Sequence, residues 1–161
     1  MAGESSVDPR KSVTVAVGAD EAFRVYTERA GEWLPPEHLF IRGAVAVAME
    51  PRVGGRFYER GADGAEVTRG TITEWAPPER LAVTWRVGPG WRPARDDEHA
   101  SVIVVEFRAA GAGGTEVVVT YTHLDRHGEM AGQLRSAIEN PQGGDTLARY
   151  ADVAARHATA G

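Results

Sequence analysis

Tyr121 and His123 stand two residues apart, in phase with Val117 and Val119. On a strand this spacing puts phenol and imidazole on one face, and an imidazole titrates near neutral pH. If that face points inward, the pair can orient a ligand carbonyl or move a proton inside an apolar pocket. The plainer reading keeps His123 at the strand end, half exposed and satisfied by water or backbone. His123 and His127 also form an H-x-x-x-H pair, a spacing that places both rings on one side only within a helix. Leu124-Asp125-Arg126 reads instead as a turn. No third ligand is in register, so no metal site is expected.

Four tryptophans follow the same logic. Aromatic residues at alternating strand positions are ordinarily core, yet Trp75 and Trp85 are also candidates for the wall of a ligand site. Trp91 differs, because Gly88-Pro89-Gly90-Trp91-Arg92-Pro93 is too polar a loop to bury, and it reads as a lid over a cavity mouth. The charges that follow it, Arg95 to Glu98, read as an ordinary solvated connection. The candidate ligand-binding set is Trp75, Trp85, Trp91, Tyr121, His123, Leu134 and Tyr150. No residue is assigned as catalytic. The chain lacks a Ser-His-Asp order with an elbow, a Gly-rich phosphate loop and a G-x-G-x-x-G motif, and no cofactor is expected.

The elements that must carry these residues are legible in the periodicity. Val13, Val15 and Val17 alternate as on a half-buried strand. Asp20 is placed to cap a following helix, in which Ala22, Phe23, Tyr26 and Ala30 recur at helical spacing. Pro35-Pro36 stops that helix. Strand patterns then cover Val45, Val47 and Met49, and 56–60, 67–75, 81–87, 101–108 and 115–123. Between them lie turn signals at 51–55, Asp63-Gly64, Ala76-Pro77-Pro78-Glu79 and 111–114, and the longer connection 88–100. Arg56 and Arg60 flank Tyr58 on one face as surface electrostatics. Glu106, Arg108 and Glu116 read as outward.

From Gly128 the period returns to that of a helix. Met130, Leu134, Ala137 and Ile138 share a face, 140–145 breaks or kinks the helix, and Leu147, Tyr150, Ala151, Val153 and Ala154 resume it. The fold class is therefore α+β: a curved antiparallel sheet of about seven strands covered by a C-terminal helix. One helix cannot fill such a sheet to the rim, so a crevice between them is expected, and crevices of this kind take small molecules.

Bulk properties agree with one such domain, 11–158, behind a disordered tail, 1–10. The net charge of −5 comes with scattered basic residues, which argues against nucleic acid. There is no cysteine, excluding disulfides and thiolate metal sites and fitting a cytoplasmic protein. The start lacks the apolar core of a signal peptide. No run approaches the roughly 18 apolar residues of a membrane span.

Several motifs occur in the order of a known family. Ala22-Phe23, Tyr26-Thr27 and Trp33-Leu34-Pro35 are followed by Gly54-Gly55-Arg56-Phe57 and then by Gly70-Thr71-Ile72-Thr73-Glu74-Trp75. Pro77-Pro78-Glu79-Arg80-Leu81, Thr84-Trp85, Gly114-Thr115-Glu116-Val117 and Thr122-His123-Leu124 complete the series. The chain resembles the START-like (SRPBCC, helix-grip) superfamily over 12–157, in the AHSA-type branch named after the activator of the heat-shock-protein ATPase. One departure stands out: Gly144-Asp145 replaces a Gly-Trp pair usual in that branch. The resemblance implies a helix-grip fold with a hydrophobic pocket. Three functions stay open: a carrier of a hydrophobic or aromatic small molecule, a cyclase or hydrolase-like enzyme using the same pocket, and a co-chaperone-like module with a protein partner or a second copy of itself.

Overall fold

Period-two hydrophobicity becomes seven strands in one curled antiparallel sheet. The computed structural model describes residues 8–139 and 146–160. The long strands are β1 (Arg10–Val15), β2 (Ala46–Met49), β3 (Arg56–Arg60), β4 (Glu66–Ala76) and β5 (Arg80–Trp85). A two-residue ribbon, β6 (Val87–Gly88) and β7 (Arg92–Pro93), interrupts the meander before β8 (Ser101–Ala110) and β9 (Gly114–Thr122). The sheet runs β1-β9-β8-β5-β4-β3-β2. β1 begins at Arg10, and Pro9, read from sequence as part of a tail, is buried and accepts a hydrogen bond from the Tyr121 N–H.

Among the described residues four α-helices cover one face: α1 (Ala19–Glu28), α2 (Ala30–Trp33), α3 (Ala131–Glu139) and α4 (Thr146–Ala160). The α1 cap is Gly18, without a side-chain hydrogen bond, and not Asp20. Asp20 lies in the first turn, where its charge still favours the helix dipole. The break expected over 140–145, and with it Gly144-Asp145, falls outside the described residues.

Two bulges in β4 bend the sheet. The pairing passes from Phe57↔Gly70 to Tyr58↔Thr68, so Arg69 has no partner across β3; Thr73 is skipped likewise against β5. Each extra residue increases the local twist and curls the strand. At Gly70 a Cβ would stand 1.9 Å from the Thr84 carbonyl oxygen, so only glycine admits this approach.

The inner face holds two apolar clusters. In the first, Phe57, Ile72, Leu81, Val83, Val105, Phe107, Val117 and Val119 meet Phe23, Tyr26 and Trp33 from α1 and α2, and Leu147, Tyr150 and Val153 from α4. The second lies at the far end, where Leu134 and Ile138 of α3 join Val87, Leu124 and Met130. Leu134 and Tyr150 are fully buried and Leu147 nearly so, as the helical periodicity requires.

Candidate functional site

Trp85 ends β5 and Tyr121 lies one residue from the end of β9, both in phase with core valines. That phase turns both rings inward, where they border the second cluster. Their ring centroids are 5.8 Å apart and tilted by 52°. The chain leaves β9 through His123, whose φ of 60° is left-handed, and enters a 3-10 segment, Leu124–Met130. That reversal brings His127, not His123, against Trp85. The His127 ring stands 6.3 Å from Trp85, edge to face.

His127 is held by backbone. Its Nε2 accepts the Ser101 N–H at 3.0 Å, which leaves the proton on Nδ1, and the Ser101 hydroxyl lies 2.9 Å from Nε2. Burial lowers its pKa below the usual histidine value, and repulsion from His99 adds to this. A hydrogen bond to the Val87 carbonyl opposes the shift. The ring is therefore a neutral, oriented imidazole. Nearby, burial raises the Tyr26 phenol, and the neighbouring Tyr121 and Tyr150 raise it further. Tyr26 meets Tyr150 edge-on with ring centroids 5.4 Å apart, and Tyr121 packs on both clusters.

A buried ion pair adjoins this end. Glu59 shares the inward face of β3 with Phe57 and is fully buried. It accepts hydrogen bonds from the Phe40 and Ile41 amides and from Arg69. Burial depresses the Arg69 pKa, and the charge of Glu59 opposes that shift. The guanidinium stays charged, because arginine starts so high.

The sequence candidates divide among these places. Trp85, Tyr121 and Leu134 come together at the second cluster. Trp75 packs edge-on against Phe23, with centroids 5.1 Å apart, in the first cluster. Tyr150 sits there too, and its hydroxyl donates to the Ala22 carbonyl at 2.8 Å. Trp91 is 46% exposed on the ribbon. His123 does not share a cavity face with Tyr121, because the strand alternation ends at Thr122. It is exposed and lines an open depression of about 510 Å³ on the outer face, with Ala82, Val102, Val104 and Thr122. Among the described residues no group of three His, Asp or Glu side chains is placed to hold a metal ion.

Sequence reasoning missed Glu59 and Arg69, and weighed His127 only as one of a pair of metal ligands. Glu59 had a signal, being a carboxylate in phase with Phe57 and out of phase with Arg56, Tyr58 and Arg60. Those three stack on the outer side, with the Arg56 guanidinium 4.2 Å from the Tyr58 ring centroid.

Comparisons with known proteins agree with this architecture. Residues 16–140 match the family model described as Activator of Hsp90 ATPase homolog 1-like protein. Among solved structures, the chain is 44% identical to an anthrahydroquino-γ-pyrone synthase solved as a complex, covering 91% of this chain and 96% of that one with a TM-score of 0.65. It is 26% identical to a self-sacrificing resistance protein from Micromonospora echinospora, over 94% and 96% of the two chains, with a TM-score of 0.69. A protein from Nitrosomonas europaea, 20% identical over 95% and 97% with a TM-score of 0.65, shares the fold. No curated protein matches.

Proposed function

We propose that this chain, which belongs to the family of Activator of Hsp90 ATPase homolog 1-like proteins and has the START-like helix-grip fold, binds a flat aromatic small molecule at the Trp85 end of the sheet's inner face. The observation that carries the reading is the grouping of Trp85, Tyr121 and His127 against an apolar cluster. Aromatic walls with a few fixed polar groups are the usual make-up of a small-molecule site. Family and relatives support a ligand-binding domain. The exposed Trp91 serves as lid, since the ribbon that carries it starts at Val87, a member of the same cluster. No helix among the described residues is long and apolar enough to cross a membrane. The cysteine-free sequence fits a reducing compartment such as the cytoplasm.

The identity to a pyrone synthase favours a second reading, in which the same site closes a ring. His127 is a poor general base for this, because Nε2 accepts from Ser101 and the other nitrogen faces the Val87 carbonyl. The Tyr121 phenol is the better proton donor to a ligand oxygen.

Native mass spectrometry of freshly purified protein, followed by thermal shift with polycyclic aromatic ketones, tests the binding reading. We expect concentration-dependent stabilisation by mass action and a change in tryptophan emission. No stabilisation by any compound would sink it. Mass balance on the bound compound separates binding from turnover.

A further inference from the structure

The helices do not cover the sheet's inner face evenly. On β8 the inward residues Ser101 and Val105 are fully buried, yet Ile103 between them is only part-buried. Tyr121, its partner across the β8–β9 ladder, is part-buried too, and so is Trp85 at the end of β5. Val83 and Val119, which flank this patch on β5 and β9, are closed off. β8 is an interior strand and Ile103 points inward, so what uncovers it is a gap between sheet and helices.

A polar atom without a partner borders that gap. Helix α1 packs across β8 and β9, and its Tyr26 lies near enough to Tyr121 for the two phenols to couple electrostatically. The Tyr26 ring is fixed by Trp33, Phe107 and Tyr150, with centroids 4.6, 5.9 and 5.4 Å away. The Tyr150 hydroxyl is satisfied by the Ala22 carbonyl. The Tyr26 hydroxyl makes no hydrogen bond among the described residues, although Tyr26 as a whole is only 8% exposed. Nor is its oxygen sealed: among those residues Arg69 Nε alone is a side-chain polar atom both sealed and unpartnered. Buried hydroxyls ordinarily find a partner, so an open one asks for a partner from outside the chain. We propose that the Tyr26 hydroxyl donates to the carbonyl oxygen of a neutral aromatic ketone lying on Ile103 and Tyr121 toward Trp85, and so sets the ligand's orientation. Burial holds the Tyr26 proton well above the ordinary phenol range, with Tyr121 and Tyr150 adding to the shift, so the group stays a neutral donor. A carboxylate fits less well. The rings around Tyr26 carry no charge, and an anion there would lose its water without meeting a cation.

This rests on the aromatic site proposed above and names its ligand class and the group that reads it. The test uses fluorenone and fluorene, planar tricycles that differ by one carbonyl, with affinities from tryptophan quenching. The protein should bind fluorenone about fivefold tighter than fluorene, the difference one hydrogen bond provides. Tyr26→Phe deletes the hydroxyl and keeps the ring. Its melting temperature should stay level, because no hydrogen bond within the protein is lost, and the two compounds should then bind alike. In the unaltered protein the infrared carbonyl stretch of bound, ¹³C-labelled fluorenone should lie below its position in hydrocarbon solvent. In Tyr26→Phe it should move back toward that position. Equal affinities in the unaltered protein, or a preference and a stretch that survive the substitution, would overturn the role of Tyr26 and leave the aromatic site standing. A lower melting temperature with both affinities reduced alike would make the hydroxyl part of the fold and overturn that role too. Failure of both compounds to bind the unaltered protein would overturn the site and this inference together.

Discussion

His127 Nε2 accepts the backbone N–H of Ser101 across 3.0 Å, and this bond can exist only while the imidazole is neutral. Ser101 opens β8 and lies opposite Trp85 across the β5–β8 ladder. Protonating His127 therefore removes an acceptor beneath the candidate site and forces a charge into it. Burial has lowered the His127 pKa from its ordinary value of 6.5, so the folded state binds this proton less well than the unfolded chain. The contribution to stability is present in full above pH 6.5 and falls away below it, toward the lower folded pKa. Melting temperature should accordingly drop between pH 7 and pH 5. In His127→Gln, which keeps an acceptor but does not titrate, the drop should be shallower. Parallel curves for the two proteins would show that His127 does not set this dependence.

The Glu59–Arg69 pair makes a second, opposite-signed pair of expectations. Glu59→Ala leaves a buried cation without its partner and orphans the amides of Phe40 and Ile41. It should cost about 3–5 kcal/mol in denaturant unfolding. Glu59→Leu with Arg69→Met removes both charges and should recover a large part of that loss, as apolar replacement of buried pairs often does. With Glu59→Leu and Arg69→Met also measured singly, the interaction energy from this cycle separates the pair from its parts. Near-additive losses would mean that Glu59 acts through the two amides and not through Arg69.

How far these residues can be seen in the sequence depends on parity. Val117, Val119 and Tyr121 alternate without interruption, and all three turn inward as the pattern requires. Leu134 and Ile138 keep helical phase and are buried likewise. Parity fails where the backbone leaves its period. The left-handed His123 ends the β9 alternation one residue after Thr122, which sends its ring out and brings His127 in. The bulge at Arg69 removes that residue from the β3–β4 pairing, so counting from Phe57 or Gly70 gives no face for it. Gly70 hinted at an irregularity, but the close approach to Thr84 that requires it is a tertiary fact. Glu59 was legible in principle, as a charge in phase with Phe57; what the sequence withheld was its set of partners, which come from 40–41 and from the bulge.

Trp91 supplies the last prediction, because its backbone and its side chain ask for different things. Its φ is 61°, and Gly90 before it is at 75°. The left-handed region suits Gly90, whereas a residue with a Cβ is disfavoured there by about 1–2 kcal/mol. The ring does not repay this by burial, since Trp91 is 46% exposed. Strain held at an exposed aromatic beside a candidate site is the pattern expected of a ligand contact. Trp91→Gly relieves the backbone and deletes the ring together. The melting temperature of the free protein should stay level or rise by a few degrees. Affinity for a polycyclic aromatic ketone should fall, and its dissociation should quicken, because a lid acts mainly on escape. Trp91→Phe should keep most of the affinity. A variant in which glycine lowers stability and leaves dissociation unchanged would identify Trp91 as part of the fold and not as a lid.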